Sequence, residues 1–548
     1  MRTSSRAALF PMIVELDPAQ YCKAAALAAG AKISRLAPAD SQAGGRRMRR
    51  MLALFFIMLW LAPVQANAEW LRAESANFVV YSEGSEADLV TRVRQLEEFD
   101  RLLRMMTGTS APPSPNKLAI YMVRGGGQLD RILGGTAGLG GFYAASPDGI
   151  VAAVDQGWRE DWMTHEEVLL HEYAHHFMLQ YFPGSYPAWY VEGFAEYLAT
   201  VRFTNDMIEI GRFNPARASW LADRSGWLPF DTLVFSDPAR LNRAETAKFY
   251  AQSWLLVHYL MRDADRRRRL AAYLAAMTAG ADARSAFAEA FDTDLSSLQR
   301  EISRYGSGDM TYSRLPRVSA AEAAAVEVSR LGDASDSLIL AQASLQLSWT
   351  PRLADRFLGR ARAASDGSGP LARRARARAE ALYGDGAAAD RLLDLLLAEA
   401  PGDAELLYLK GMRHLAAGRR DAGERARHFA EAQRWFVRAH RADENHYPTL
   451  YRYAESLSLE PGFLSENTSN ILLLAHQIAP QVEEVAMSAA NLLMRRGEFE
   501  RAEALLVPVG AGRHRSNMRQ AVVALIAKAQ ARDNRDLPDP FDLPDADD

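Results

Sequence analysis

One cysteine, Cys22, in 548 residues leaves this chain without a disulfide framework and with almost no thiol chemistry. Excess positive charge is also missing. Lys and Arg number 64 against 68 Asp and Glu, a formal net charge of -4, so the basic field that draws proteins to nucleic acid is absent. Long apolar runs are missing too. The main one, Met51 to Leu61, is too short to span a bilayer. It follows a cationic stretch, Arg46 to Arg50, and precedes Ala66-Asn67-Ala68, the layout of a secretory signal peptide cleaved after Ala68. Membrane attachment is expected only if that segment stays uncleaved. Met48 opens the signal-like segment "MRRMLALFF", so residues 1–47 are expected to be an upstream extension and residues 48–68 the signal peptide. Cys22 falls in the extension, which leaves a cysteine-free exported chain starting at Glu69, periplasmic or secreted, that cannot be a lipoprotein.

The exported part is long enough for more than one core. "NFVVYSE" and "KLAIYMV" read as strands, and between them a helix opens at Glu86 with Ser85 as N-cap and Asp88 three residues on. A glycine-rich passage leads into two short extended pieces, "FYAA" and "GIVAAV", joined by the turn-like "SPDG". From Asp161 onward every pattern is helical. Strands followed by helices predict an α+β domain over residues 69–305, with a linker at 306–319 and no strand beyond it.

Residues 320–535 carry a repeat. Small residues at Ala354, Ala389, Ala432, Thr468 and Ala502 lie 35, 43, 36 and 34 apart, each followed four residues later by Leu358, Leu393, Phe436, Leu472 or Leu506. A period near 34 is that of tetratricopeptide repeats, helix pairs that stack into a solenoid; a helical bundle without a true period is the alternative. Gly497 is expected to turn between two helices of one pair. The solenoid is expected to recruit a protein partner and to touch the first domain little. The acidic, proline-broken residues 536–548 are expected to be a disordered tail.

Chemistry concentrates in "VLLHEYAHHF". On one helix His171 and His175 share a face one turn apart, so both imidazoles can reach one zinc ion, and Glu172 points toward a water on that ion. His176 is about 100° further round and cannot join them. A catalytic zinc takes three protein ligands and keeps one open position, so one ligand must come from elsewhere.

"HEYAH", followed after sixteen residues by "EGFAEY", resembles the gluzincin zinc peptidases, the thermolysin and aminopeptidase N clan. The nearer likeness is to the peptidase MA-like domains of exported bacterial proteins, which often carry tetratricopeptide repeats. The resemblance implies Zn2+ held by His171, His175 and Glu192, with Glu172 as general base. Glu196, one turn after Glu192, competes for the ligand role or accepts a hydrogen bond from a ligating histidine. The likeness also implies a tyrosine that steadies the oxyanion, for which Tyr250 is the candidate, with a packing role as the alternative. The aminopeptidase segment Gly-x-Met-Glu-Asn is absent, so aminopeptidase specificity is not implied. The strand Gly140 to Ala145 is the expected edge for pairing with a peptide or protein substrate.

The expected function is an exported zinc-dependent metallopeptidase with a partner-binding repeat domain. The alternatives are a periplasmic repeat scaffold with an inactive catalytic domain, and, less economically, a zinc store or sensor, which has no use for Glu172 or Tyr250.

Overall fold

In the computed structural model, alternation along the first strands decides the architecture. On Leu118–Val123, Ile120 and Met122 enter one core while Tyr121 and Val123 enter another, so the sheet is buried on both faces. The structure describes residues 69–133, 139–157, 159–160, 163–308, 310–317, 323–332, 335–347, 351–365, 369–510 and 516–542. The segments expected to be the upstream extension, with Cys22, and the signal peptide lie outside these residues.

The strands are β1 (Trp70–Glu74), β2 (Phe78–Glu83), β3 (Leu118–Val123), β4 (Gly141–Ser146) and β5 (Gly149–Asp155), then the short β6 (Arg159–Glu160), β7 (Met163–Thr164), β8 (Arg202–Phe203), β9 (Met207–Ile210), β10 (Ser313–Pro316) and β11 (Glu327–Arg330). Six of them form one sheet in the order β11-β1-β2-β3-β5-β4, parallel across β2-β3-β5 and antiparallel elsewhere. Strand β4 is an edge, as expected for the segment Gly140 to Ala145.

Helix α1 (Glu86–Thr107) begins at the Ser85 cap, whose side chain accepts from the Asp88 N–H, and α2 (Gly126–Leu133) follows β3. Helices α3 (His165–Tyr181) and α4 (Ala188–Ala199) come next, then α5 (Pro215–Leu221), α6 (Phe230–Phe235), α7 (Arg243–Met261), α8 (Ala264–Thr278), α9 (Ala283–Phe291) and α10 (Leu295–Tyr305). Helices α1 and α3 cover one face of the sheet.

Beyond Tyr305 the chain forms helix pairs: α11 (Asp336–Ser344) with α12 (Pro351–Ala364), α13 (Pro370–Tyr383) with α14 (Gly386–Glu399), α15 (Ala404–Arg420) with α16 (Arg425–Ala442), α17 (Tyr447–Ser456) with α18 (Glu466–Ile478), and α19 (Glu483–Arg495) with α20 (Phe499–Gly510), closed by α21 (Ser516–Gln530). All ten residues chosen for the repeat register, from Ala354 and Leu358 to Ala502 and Leu506, are buried on the second helix of a pair. Gly497 makes the turn between α19 and α20 at φ 80, a conformation that side chains other than glycine's resist.

Three expectations need correction. The segment read as a linker contains β10, which pairs with β9, and Arg317, whose guanidinium grips Glu98 at 2.6 and 2.9 Å. Strand β11, beyond that segment, pairs with β1. Both strands are short and mostly exposed edges, so they carry no hydrophobic alternation to read. Second, the helix pairs do not stand apart. Helix α11 buries Ile339, Leu340 and Ala343 against the second face of the sheet, and from Trp70 onward the chain forms one compact unit. Third, Leu537 to Asp542 of the expected disordered tail pack on α17 and α19; residues 543–548 lie outside the described residues.

The β4–β5 turn shows how tightly the two halves are joined. Asp148 is buried, and its carboxylate takes Arg452 at 3.0 and 3.1 Å and the Tyr408 hydroxyl at 3.0 Å. Arg378 donates to the Asp148 carbonyl at 2.9 Å, and the Tyr447 hydroxyl donates to the Ser146 carbonyl at 2.7 Å. All four donors sit on the first helices of their pairs. Arg452→Met leaves the Asp148 carboxylate buried without its cation, at an expected cost of about 3–5 kcal/mol, read from urea unfolding. An unchanged unfolding midpoint would mean that the turn is not held by this pair.

Candidate metal centre

Helix α3 starts at a capping box in which Thr164 accepts from the Glu167 N–H and Glu167 reaches back to the Thr164 N–H. The segment 164–168 is thus a helix start, and it sets the phase of the turns that follow. His171 and His175 then fall on one face, with their Nε2 atoms 3.0 Å apart. The opposite side of the site is α4. Its Glu192 has no exposed surface and brings Oε2 to 3.6 Å from His171 Nε2 and 3.7 Å from His175 Nε2.

These three are the one group of His, Cys, Asp or Glu side chains among the described residues that is arranged to hold a metal. Ligands about 2.0–2.1 Å from a tetrahedral zinc lie about 3.3 Å from one another. The observed 3.0, 3.6 and 3.7 Å bracket that value, so the donor set fits zinc in chemistry and in spacing. A wholly buried carboxylate needs positive charge close by, which a cation between the three donors would supply.

Glu196 lies behind the histidines. Its Oε1 is 3.5 Å from His171 Nδ1, on the side of the ring away from Glu192, and both its oxygens take the guanidinium fork of Arg217, with Nε at 2.8 Å from Oε2. Of the two glutamates that compete in the sequence, the structure places Glu192 among the Nε2 atoms and Glu196 at Nδ1. Arg217, on α5, has no counterpart in the sequence reading. Burial works against its charge, but Glu196 and, less strongly, Tyr250 and Glu192 offset this, and its pKa is raised. Nothing in "NPARASW" marks that arginine, because its partner is 21 residues away on another helix.

Glu172 is half-buried and within electrostatic reach of Tyr143 on the edge strand β4. Burial raises the Tyr143 phenol well above its ordinary pKa, and the charges of Glu483 and Glu172 push the same way. His176 is excluded from the centre, as its angle around the helix requires. It is buried, its Nδ1 lies 3.2 Å from the Tyr143 hydroxyl, and desolvation lowers its pKa to about 3, so the ring stays neutral. Tyr250, half-buried on α7, has its ring 6.4 Å from that of His171 and 5.4 Å from the Arg217 guanidinium carbon, which puts it beside the centre.

The approach of α4 to α7 depends on one residue. A methyl group at Gly193 would run into the Ser253 carbonyl oxygen and the Val257 side chain. "EGF" therefore sets how close Glu192 and Tyr250 come. Gly193→Ala is expected to push the two helices apart at about 1–3 kcal/mol, seen as a lower melting temperature. If the variant melts like the wild type, the close approach is not needed.

No family model and no curated protein matches the chain. Among solved structures, it is similar to the crystal structure of a thermophilic TPR protein in Thermus thermophilus at 17% identity, over 36% of this chain and 93% of that one, with a TM-score of 0.26. At that score the repeat architecture rests on the helix pairs themselves. None of the described helices is long and apolar enough to cross a membrane.

Proposed function

We propose that this chain is an exported zinc metallopeptidase. The observation that supports the reading is the triangle of His171 Nε2, His175 Nε2 and Glu192 Oε2 with Glu172 on the next helical position. Two histidines and a glutamate would hold the ion and leave a fourth position open. Zinc supplies a Lewis acid that acidifies a water molecule and polarises a carbonyl.

The chain's own groups do the rest. The Glu172 carboxylate takes a proton from the attacking water and delivers it to the leaving amine nitrogen. The Tyr250 hydroxyl donates to the carbonyl oxygen as that oxygen gains negative charge. Glu196, steadied by Arg217, lies 3.5 Å from His171 Nδ1, where it would take the Nδ1 proton's hydrogen bond and leave Nε2 free to ligate. The substrate is a peptide or a protein segment laid along the β4 edge.

A second reading has its own support. The helix pairs fill more of the chain than the sheet domain's helices do, and a scaffold with a structural metal would use the same three ligands while making no use of Glu172. Two variants separate the readings. Glu192→Ala is expected to lose bound zinc, whereas Glu172→Gln keeps stoichiometric zinc and loses peptide hydrolysis, measured by metal analysis and by cleavage of an unstructured peptide library. Wild-type protein that is fully zinc-loaded and cleaves nothing would favour the scaffold.

Tyr250→Phe is expected to lower turnover by roughly a hundred- to a thousandfold with little change in KM, zinc content or melting temperature. Near-normal turnover in that variant would leave Tyr250 a packing residue.

A further inference from the structure

Residues Leu537–Asp542 have neither helix nor strand, yet they are firmly held. Every side-chain donor that α19 sends to them meets a main-chain carbonyl. The Ser488 hydroxyl donates to the Pro540 carbonyl at 2.5 Å, Asn491 Nδ2 to Pro538 at 3.0 Å, and Arg495 Nη2 to Pro538 at 2.8 Å and to Leu537 at 3.0 Å. Ser488 and Asn491 are completely buried. The Asn491 amide oxygen is already taken by Arg495 Nε at 2.8 Å, so at this point the groove offers donors.

The segment suits such a groove. Pro538 and Pro540 carry no N–H that would need an acceptor, and their rings fix φ before binding, which lowers the entropy lost. The N–H groups of Phe541 and Asp542 turn back onto Asp539, at 2.9 and 3.2 Å. Phe541 is the anchor, with its ring edge-on to Tyr451 at 5.5 Å and 6.2 Å from Phe463. At the other end Leu537 packs with the cluster around Met487 and Met494.

We propose that Tyr451, Phe463, Ser488, Asn491 and Arg495 form a binding site for a peptide with two prolines one residue apart followed by an aromatic residue, and that the chain's own Leu537–Asp542 fills it in cis. A partner protein that presents such a segment displaces the tail. Donors aimed at carbonyls make the site indifferent to most side chains, so the prolines and the aromatic ring carry the selectivity. The inference does not depend on the metal centre or on peptidase activity.

The test uses a chain ending at Arg535 and a fluorescein-labelled peptide of residues 536–542, followed by anisotropy. Saturable one-to-one binding is expected, and the full-length protein should bind at least about a hundredfold more weakly, because the tethered tail competes at high effective concentration. Phe541→Ala in the peptide, or Asn491→Ala in the protein, should each weaken binding about tenfold or more. Equal binding of a scrambled peptide, or full-length protein binding as well as the shortened one, would overturn the proposal. If the shortened chain does not fold, full-length protein carrying Leu537→Ala and Phe541→Ala frees the same groove, and its failure to bind the wild-type peptide would count equally against the site.

Discussion

Glu192 is a carboxylate with no access to water, set between two histidines and the close contact of α4 with α7. Two histidines face it from a helix whose start is fixed by the Thr164 cap, and α4 lies against α7 with only a hydrogen at Gly193 between them. Because a buried carboxylate is costly without compensating positive charge, the neighbourhood contains a second carboxylate that is visibly compensated: Glu196, forked by Arg217. The pair forms a rear support for His171, while Glu192 faces the Nε2 atoms. One face of α4 therefore carries two acids one turn apart with different duties, decided by which nitrogen of the same ring each one meets.

The parts of this arrangement that were legible in sequence are those governed by short-range periodicity. His171 and His175 share a helical face because they are four apart, and the Ser85 and Thr164 caps follow from the residue types three positions on. The repeat register was legible for the same reason, since helix pairs must place small residues where they cross and the chain does so from Ala354 to Ala502. What escaped the sequence are contacts between distant residues whose local pattern is bland. Arg217 looks like any surface arginine until it is seen under Glu196. "EVSR" has no alternation, yet it closes the edge of the sheet against β1. "LPDPF" has the composition of a disordered tail, and the donors on α19 together with the rings of Tyr451 and Phe463 explain why it is ordered.

The helix pairs do more than follow the sheet domain. They meet the sheet domain at several places: α11 lies on the second face of the sheet, α13, α15 and α17 send Arg378, Tyr408 and Arg452 to the single turn residue Asp148, and Gln481, just before α19, meets Gln180 at the end of α3 at 2.8 Å. Helix pairs whose side chains are spent on their own chain in this way act as a clamp on the sheet domain.

That clamp bears on the centre through one hairpin. The turn it grips joins β4 to β5, and β4 carries Tyr143, which bonds His176 and lies within reach of the charges of both Glu172 and Glu483. Glu172 belongs to the helix of the two histidines, whereas Glu483 opens α19, so Tyr143 is where the sheet, the metal-site helix and the helix pairs meet. Asp148 thus ties the helix pairs to the hairpin whose edge strand carries the wall beside Glu172. The donor triangle has its own support on another side, where Glu196 and Arg217 lie behind His171. The wall beside Glu172 and the donor triangle are thus braced by different parts of the chain: the first by the helix pairs through Asp148, the second by Glu196 and Arg217.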